Sequence, residues 1–279
     1  MSDTIFAIFP HPDDETFSAG GLMAAAVERG FRVVLDCMTR GEAGESSNPE
    51  FDTPEKLGLA REMELMNAMK ALGVTEIRHL DYRDSGMMGS PEAEHPLAFL
   101  NASVESVAER LAIEIRDLQP SMVVTFGEDG VYGHPDHIHT FRAATLAVLI
   151  AADPKMLPGR LEAWQTPELY YSTAPREDLL ELMERPNSPL ASMPEEARQR
   201  LGTPRERITH VLDVSAWRTQ KRDAFQAHVS QTGQGGPLSG IDDDALERRL
   251  QAEHFVRAPL PWDDANDLDR VLRRILPLM

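Results

Sequence analysis

The sequence predicts an α/β fold of the Rossmann-like, doubly wound type, in which a mostly parallel sheet carries helices on both faces. Two observations support this prediction. Short apolar runs alternate with segments of helical period through the first half of the chain, and the connections between them are short. The two most polar clusters, residues 11–15 and 134–139, each follow one of those apolar runs. Because ligands of such sheets bind beyond the carboxyl ends of strands, both clusters lie where a site is expected.

The first half of the chain alternates strand and helix signals. Its apolar runs predict buried strands at Thr4–Phe9, Arg32–Met38, Glu76–Leu80 and Met122–Phe126. Apolar residues at helical spacing predict helices over Ser18–Arg29, 54–72, Val104–Leu118 and Pro135–Ala152. Thr53 and Pro54 suit an N-cap and a first helical position. Gly30 and Gly73 suit the ends of helices.

The second half is less regular. Strands are expected at Leu169–Ser172 and Ile208–Val214, and helices at Trp217–His228, Leu246–His254 and Leu268–Leu276. Residues 176–207 are expected to form a helical or irregular segment outside the sheet, and residues 231–240 are expected to form a loop. With no repeat or clear linker in the sequence, we expect one domain over 1–279. Its α/β core over 1–175 carries the polar clusters, and a C-terminal subregion over 176–279 closes the pocket.

Composition narrows the class of partner. The net charge of −18 argues against a nucleic-acid partner, because phosphate binding requires a basic surface. No apolar run reaches the roughly 18 residues of a membrane span. The start of the chain lacks the basic segment of a signal peptide, and the single cysteine, Cys37, excludes an intrachain disulfide. We therefore expect a cytoplasmic protein with a small-molecule partner and no membrane partner. A homo-oligomer is compatible with the sequence.

The first polar cluster, residues 11–15, has the chemistry of a metal site. An imidazole and three consecutive carboxylates follow the first predicted strand, and unpaired buried carboxylates are costly. A divalent cation relieves that cost, and His with Asp suits zinc, with iron(II) or cobalt as alternatives. His11 and Asp14 are three positions apart across a turn, so both can bind one ion, whereas Asp13 points elsewhere. The competing interpretation is a helix N-terminus, which favours acids but does not require His11.

The second polar cluster, residues 134–139, supplies further imidazoles. A proline suited to the first helical turn places His134 just before the helix and His137 one turn into it. One of these histidines completes the three protein ligands of an open catalytic zinc site, whose bound water has a pKa of about 7. Asp13 is then placed as the base for that water. We expect a protonated His134 to stabilise the oxyanion, with its pKa raised by pairing with Asp136.

Both clusters resemble the signatures of a known family. The motifs His11-Pro12-Asp13-Asp14-Glu15 and His134-Pro135-Asp136-His137 are similar to those of the LmbE/PIG-L family of zinc-dependent N-acetylglucosaminyl deacetylases. The resemblance spans residues 5–140. It implies zinc ligation by His11, Asp14 and His137. It also implies that Asp13 is the general base and His134 the electrophilic partner.

Further segments resemble the branch of that family that deacetylates the GlcNAc-inositol precursor of mycothiol. They are residues 41–44, the helix that contains Arg61, residues 83–87, and Tyr132. The resemblance implies sugar contacts by Glu42, Arg61 and Asp84, and a contact of Tyr132 with the carbonyl group. Each residue has a structural alternative, which is a solvated loop for Glu42, a surface ion pair for Arg61, an Asx turn for Asp84 and packing for Tyr132. His228 is a further candidate to approach the site from the C-terminal part.

The expected activity is therefore hydrolysis of an N-acetyl group on a GlcNAc-type substrate through a zinc-bound water. Two alternatives stay open. An amidase of the same family would remove a larger acyl group from a sugar conjugate. A non-catalytic metal- or sugar-binding module would keep the metal ligands without turnover, although metal binding alone requires neither Asp13 nor His134. Nucleotide binding is disfavoured, because no Gly-x-Gly-x-x-Gly follows the first predicted strand.

Overall fold

A seven-stranded mixed sheet organises the described part of the chain. The computed structural model describes residues 3–46, 48–184, 198, 201–233 and 243–276. The strands are β1 (Thr4–Phe9), β2 (Arg32–Thr39), β3 (Glu76–Tyr82), β4 (Met122–Phe126), β5 (Glu168–Thr173), β6 (His210–Asp213) and β7 (Ala252–Arg257). The helices are α1 (Asp14–Glu28), α2 (Pro54–Leu72), α3 (Val104–Leu118), α4 (Gly130–Gly133), α5 (Pro135–Ala152), α6 (Arg176–Met183), α7 (Arg218–Ala227), α8 (Val229–Thr232), α9 (Asp243–Gln251) and α10 (Arg270–Ile275).

The strand order is β3-β2-β1-β4-β5-β7-β6. Strands β1 to β5 pair in parallel, whereas β7 runs antiparallel to both β5 and β6. The chain moves outward from β1 to β3 and then returns to the other side of β1 to form β4. The order therefore reverses between β1 and β4, and such a reversal opens a crevice for ligands at the carboxyl ends of the strands. The predicted doubly wound, mostly parallel α/β fold is confirmed.

Apolar side chains pack against both faces of this sheet. Along β1, Ile5, Ala7 and Phe9 face one cluster that includes residues of α1 and α2. Phe6 and Ile8 face a second cluster, built with α3 and α5. Burial on both faces explains why the β1 sequence is apolar throughout instead of alternating. The crevice at the edge of the sheet thus rests on a core packed from both sides.

The structure departs most from the sequence prediction near the C-terminus. The predicted helix over Leu246–His254 ends at Gln251, and the chain continues as strand β7. Glu253 is buried in β7 because its carboxylate accepts the backbone N–H groups of Gly21 and Leu22 and pairs with Lys221 Nζ at 2.6 Å. These partners come from α1 and α7, so the local sequence does not reveal the strand. Of the segment 176–207, which was predicted to be helical or irregular, residues 176–184, 198 and 201–207 are described, and they include helix α6. The predicted loop over 231–240 lies outside the described residues from 234 onward.

Helix α1 also differs from its prediction, because it begins at Asp14 and not at Ser18. Its first turn carries Asp14 and Glu15, which favours the helix start electrostatically.

Within the described ranges, no helix has both the length and the apolar character needed to cross a bilayer.

Candidate metal centre and active site

The two polar clusters meet at the carboxyl edge of the sheet, where the strand order reverses. Strands β1 and β4 are parallel neighbours, with Ala7 opposite Val124. The first cluster leaves the end of β1 and enters α1, and the second follows β4 and enters α5. This pairing brings His11 into contact with Asp136, which lies 125 positions further along the chain.

The three predicted metal ligands form one continuous buried contact. Nδ1 of His11 lies 3.2 Å from Oδ2 of Asp14, and Oδ1 of the same carboxylate lies 3.3 Å from Nε2 of His137. The ring centroids of the two histidines are 5.3 Å apart. The side chains of all three residues are almost completely shielded from solvent. The structure therefore brings the predicted ligands together.

The hydrogen bonding of His137 leaves a place for a cation. Its Nδ1 lies 3.1 Å from the carbonyl oxygen of Gly130, which only accepts, so the neutral ring carries its proton on that nitrogen. Nε2 is then a bare lone pair that is buried without a hydrogen-bond partner among the described residues, and it faces Oδ1 of Asp14. Two buried acceptors in contact are unfavourable, and a divalent metal ion removes the conflict. Two imidazoles and a carboxylate suit zinc.

Other side chains of the site also offer donor atoms to a metal. Within the described residues, two groups have potential ligand atoms within 4.8 Å of one another, namely His11 with His134 and His137, and His11 with Asp84 and Asp136. His11 belongs to both groups. Nε2 lies 3.4 Å from Oδ1 of Asp84 and 3.3 Å from Oδ2 of Asp136. Burial lowers the pKa of His11, but the surrounding carboxylates raise it well above its usual value.

Asp13 stands apart from these donors. It precedes the first residue of α1, yet its side chain makes no capping hydrogen bond, so the helix-cap interpretation is wrong for this residue. Its φ of 115° is costly for a residue other than glycine. Oδ2 of Asp13 lies 3.2 Å from Nη2 of Arg61. Burial raises the pKa of Asp13 to about 7, although the Arg61 charge opposes that rise.

The predicted pairing of Asp136 with His134 is not formed. Nδ1 of His134 instead accepts the backbone N–H of Asp136 at 3.1 Å, which caps the start of α5. The proton of the neutral ring therefore lies on Nε2. The Asp136 carboxylate contacts His11 and accepts the backbone N–H of Ser85 at 2.9 Å. Burial and the charge of His11 lower the pKa of His134 to about 4, and they outweigh the Asp136 charge, which raises that pKa as the sequence predicts.

Tyr132 lies at the entrance to α5, with its ring edge-on to His137 at a centroid distance of 5.0 Å. The preceding residue, Val131, has φ 64° and ψ −58°, a strained conformation for a β-branched side chain. Two hydrogen bonds hold it. The Val131 N–H donates to Oδ1 of Asp129 at 2.8 Å, and the Gly202 N–H donates to the Val131 carbonyl oxygen at 2.7 Å. The C-terminal part of the chain thus supports the loop that carries Tyr132.

Arg61 lies beneath the first cluster and is only 4% exposed, which excludes a surface ion pair. Besides Asp13, its guanidinium donates to the carbonyl oxygens of Gly41 at 2.7 Å and Pro12 at 2.6 Å. A Cβ on Gly41 would lie 2.4 Å from Cζ of Arg61, so glycine is required for this approach. In the structure Arg61 therefore contacts protein groups, and its predicted contact with a sugar stays a prediction.

The other two residues predicted to contact the sugar, Asp84 and Glu42, differ in whether their carboxylate oxygens already accept hydrogen bonds from the protein. Asp84 forms the Asx turn that was its structural alternative, since Oδ1 accepts the Gly86 N–H at 2.9 Å. Its Oδ2 accepts the Ala43 N–H at 3.1 Å. Glu42 is partly buried, and its Oε2 has no hydrogen-bond partner among the described residues. Glu42 consequently keeps a free acceptor, whereas the oxygens of Asp84 are already in use.

Two residues of the site were missed by sequence reasoning. The Ser85 N–H holds Asp136, and Glu15 accepts the Asp13 N–H at 2.9 Å through Oε2. A backbone N–H donor cannot be identified from a sequence. Glu15 could have been identified as a site residue, because it directly follows two other acids. His228, predicted to approach the site, reaches Glu15 and not the metal donors.

Solved structures with a similar fold carry different functional names. An N,N'-diacetylchitobiose deacetylase from Pyrococcus horikoshii has a TM-score of 0.63 and 20% identity, covering 92% of this chain and 84% of that one. A 4-carboxy-2-hydroxymuconate hydratase from Pseudomonas putida KT2440 has a TM-score of 0.60 and 20% identity, covering 95% and 99%. These similarities show a shared fold, and a fold alone does not determine the reaction.

Sequence comparison is more specific. A 1D-myo-inositol 2-acetamido-2-deoxy-alpha-D-glucopyranoside deacetylase from Geodermatophilus obscurus is 37% identical over 269 residues, which covers 91% of this chain and 91% of the relative. Residues 6–148 match the family described as PIG-L: GlcNAc-PI de-N-acetylase. That match contains both polar clusters and confirms the resemblance. The chain belongs to the PIG-L family.

Proposed function

We propose that this protein is a metal-dependent N-deacetylase, which hydrolyses the acetamide of a GlcNAc-inositol type of substrate to acetate and a free amine. The observation that carries the proposal is the buried contact between two acceptors, Nε2 of His137 and Oδ1 of Asp14, next to an Asp13 that caps nothing. The name of the relative from Geodermatophilus obscurus supports the substrate class. The donor set favours zinc, with iron(II) or cobalt as alternatives.

The first cluster, together with His137 of the second, supplies the metal ligands and a base. His11, Asp14 and His137 hold the metal, which when bound polarises the amide carbonyl and lowers the pKa of water. Asp13 takes a proton from the water whose oxygen bonds to the carbonyl carbon. The same carboxyl group then gives that proton to the amide nitrogen as the C–N bond breaks. Acetate and an amine are the products.

The second cluster stabilises negative charge on the carbonyl oxygen. Because Nδ1 of His134 accepts a backbone N–H, the neutral ring presents a proton on Nε2. We assign this N–H and the hydroxyl of Tyr132 as donors to the oxygen of the developing tetrahedral intermediate. His134 therefore acts as a neutral donor here, not as the protonated acid expected from the sequence. Asp136 orients the metal ligand His11, which its carboxylate contacts instead of pairing with His134.

Substrate recognition is assigned chiefly to Glu42. Its unpartnered Oε2 can accept a hydrogen bond from a sugar hydroxyl group. Arg61 and Asp84 were predicted to share this role, but both oxygens of Asp84 and both terminal nitrogens of Arg61 are engaged with protein groups, and only Nε of Arg61 has no hydrogen-bond partner among the described residues. We propose that both shape the floor of the pocket. The division into a core and a closing subregion, the cytoplasmic location and the oligomeric state stay predictions.

The test is acetate release from a small panel of substrates, with metal analysis of the same protein. The panel contains the GlcNAc-inositol conjugate, free GlcNAc and a conjugate with a longer N-acyl chain. We expect fastest release from the GlcNAc-inositol conjugate, loss of activity on chelation, and recovery with zinc. Faster cleavage of the longer acyl chain would favour the amidase. Binding without turnover would favour the non-catalytic module, and hydration of an unsaturated acid in place of hydrolysis would contradict the proposal.

A further inference from the structure

A buried hydrogen-bond network connects the C-terminal part of the chain to the backbone of Asp13. Oε2 of Glu15 accepts the Asp13 N–H at 2.9 Å, and Oε1 lies 3.1 Å from Nε2 of His228. Thr16 Oγ1 donates to the same Oε1 at 2.7 Å. Glu15 is 1% exposed and His228 is fully buried. A buried carboxylate requires such partners, because an unpaired one is costly.

The network acts on a residue of the site whose backbone is strained. The φ of 115° at Asp13 persists only where the surroundings determine the backbone strongly. On one side, Arg61 binds the Pro12 carbonyl oxygen and the Asp13 carboxylate. On the other side, Glu15 binds the Asp13 N–H. The backbone of the assigned base is thus held by hydrogen bonds from two directions.

The segment that carries His228 is anchored independently of the site. The backbone N–H and the hydroxyl of Ser230 both donate to the Glu64 carboxylate, each at 2.7 Å. Glu64 belongs to α2, the helix that also carries Arg61. The segment from His228 to Ser230 therefore contacts both α1 and α2 under the first cluster. This anchoring gives His228 a defined position from which to hold Glu15.

We propose that His228 is a positioning residue for the base. It holds Glu15 so that the Glu15 carboxylate keeps the Asp13 N–H, and with it the Asp13 side chain, in the geometry needed for catalysis. Within the residues that the structure describes, the His228 ring contacts Glu15 and Thr16 through Nε2 and makes no hydrogen bond to the metal donors, so it acts through Glu15. The role in catalysis rests on the function proposed above, whereas the effect on the Asp13 backbone does not.

The experiment compares His228→Leu, which removes the contact, with His228→Gln, whose amide nitrogen can still donate to Glu15. His228→Asn is polar but too short to reach Glu15, and it replaces His228→Leu if that variant does not fold. Ser230→Ala is the matched control, because it removes only the buried hydroxyl bond to Glu64, whereas the backbone N–H of residue 230 still donates to Glu64 and keeps the His228 segment anchored. For each zinc-loaded protein, the measurements are hydrogen exchange of the Asp13 amide by NMR, zinc content, and kcat and KM on the GlcNAc-inositol conjugate.

For His228→Leu, we expect at least about tenfold faster exchange of the Asp13 amide. We expect kcat to fall on the order of 10- to 100-fold, with KM and zinc content little changed, because small misplacements of a catalytic group have large effects on rate. His228→Gln should recover most of both losses, and Ser230→Ala should resemble the unaltered protein.

Normal exchange of the Asp13 amide in His228→Leu would overturn the proposal. The proposal would also be overturned if His228→Gln and Ser230→Ala lost as much kcat and amide protection as His228→Leu. A loss of zinc in His228→Leu would have the same meaning, since each result indicates a general structural role. Failure of the proposed function is a separate result. If the unaltered protein released no acetate, the exchange of the Asp13 amide would still decide whether His228 controls that backbone.

Discussion

The Asp136 carboxylate lies 3.3 Å from Nε2 of His11, while Nδ1 of the same ring faces Asp14 at 3.2 Å. A proton shared between Nε2 and Asp136 leaves a lone pair on Nδ1, on the side where Asp14 and His137 meet. Carboxylates that bind the outer nitrogen of a metal-ligating histidine orient the ring and increase its basicity. The motif residue Asp136 therefore serves the first cluster, although it lies next to the second in the sequence.

Asp136→Asn should weaken zinc binding by roughly 10- to 100-fold, because it removes the negative charge that faces His11. The affinity is measured by competition with a chromophoric chelator. Asp81→Asn removes an exposed carboxylate and is expected to leave zinc affinity unchanged. Unchanged zinc affinity in Asp136→Asn, together with an altered pH profile of kcat, would instead support a role for Asp136 at His134.

Asp13→Asn should bind zinc with the stoichiometry of the unaltered protein but lose turnover. We expect kcat to fall by a factor on the order of 10² to 10⁴, the usual contribution of a general base. His137→Ala is the comparison, since loss of a ligand should lower the zinc content itself. Both quantities are obtained from metal analysis and acetate assays on one preparation. If Asp13→Asn kept the kcat of the unaltered protein, Asp13 would not be the general base.

Arg61→Lys should lower kcat more than it raises KM. An ammonium group cannot reproduce the planar guanidinium that reaches Gly41, Pro12 and Asp13 together, so a decrease in kcat on the order of tenfold is expected. Steady-state kinetics on the GlcNAc-inositol conjugate separate the two effects. A higher KM with kcat unchanged would show that Arg61 binds the sugar, because such a pattern reports uniform binding.

Glu42→Gln should raise KM for the same conjugate on the order of tenfold, with a smaller change in kcat. The Glu42 carboxylate has a buried oxygen without a hydrogen-bond partner in the described part of the chain, and hydrogen bonds to charged groups contribute about 1.5 to 3 kcal/mol. Free GlcNAc serves as the second substrate, to show which half of the conjugate Glu42 contacts. Identical KM values in the variant and the unaltered protein would show that Glu42 does not contact the substrate and is a residue of a solvated loop.

Asp36 predicts a pH dependence of stability that is unrelated to catalysis. Burial in β2 and the nearby Glu114 carboxylate raise the pKa of Asp36 to about 9, whereas an unfolded chain has a value of about 4. Between these pH values the native protein keeps a proton that the unfolded chain releases. The contribution of Asp36 therefore lowers the free energy of unfolding as pH rises through this interval.

Asp36→Asn removes that titration while keeping the shape of the side chain. We expect the stability of the variant relative to the unaltered protein to increase between pH 5 and pH 8, by up to about 4 kcal/mol at about 1.4 kcal/mol per pH unit. Urea denaturation at several pH values measures the difference, and Asp81→Asn controls for the loss of one charge. A difference that stays constant from pH 5 to pH 8 would contradict the assignment.

Local patterns predicted much of the first half of the fold. The limits of Thr4–Phe9, Val104–Leu118 and Met122–Phe126 coincide in sequence and structure. In these segments continuous burial or one apolar helical face determines the element, and caps mark its ends. The proposed metal ligands His11, Asp14 and His137 could also be selected from the sequence, because they lie at the ends of such elements, and the structure places their side chains in contact.

Contacts between distant segments determined what the sequence did not reveal. Strand β7 depends on Glu253 being satisfied by Lys221 and by α1, and no local pattern contains that information. The direction of the Asp136 side chain depends on the Ser85 N–H, which belongs to a loop after β3. Burial of His228 against Glu15 depends on the docking of the C-terminal part. Each case required the tertiary structure.

Strands β1 and β4 pair directly in the sheet, so the relative position of the two polar clusters is set by neighbouring strands. Those parts of the loops after β2 and β3 that make no contact with the site, away from Gly41, Asp84 and Ser85, can consequently vary in length and composition without displacing the reactive centre. Natural variation or engineering can exchange those rim loops to admit a different acyl donor. The attachment points at the two central strands stay as they are.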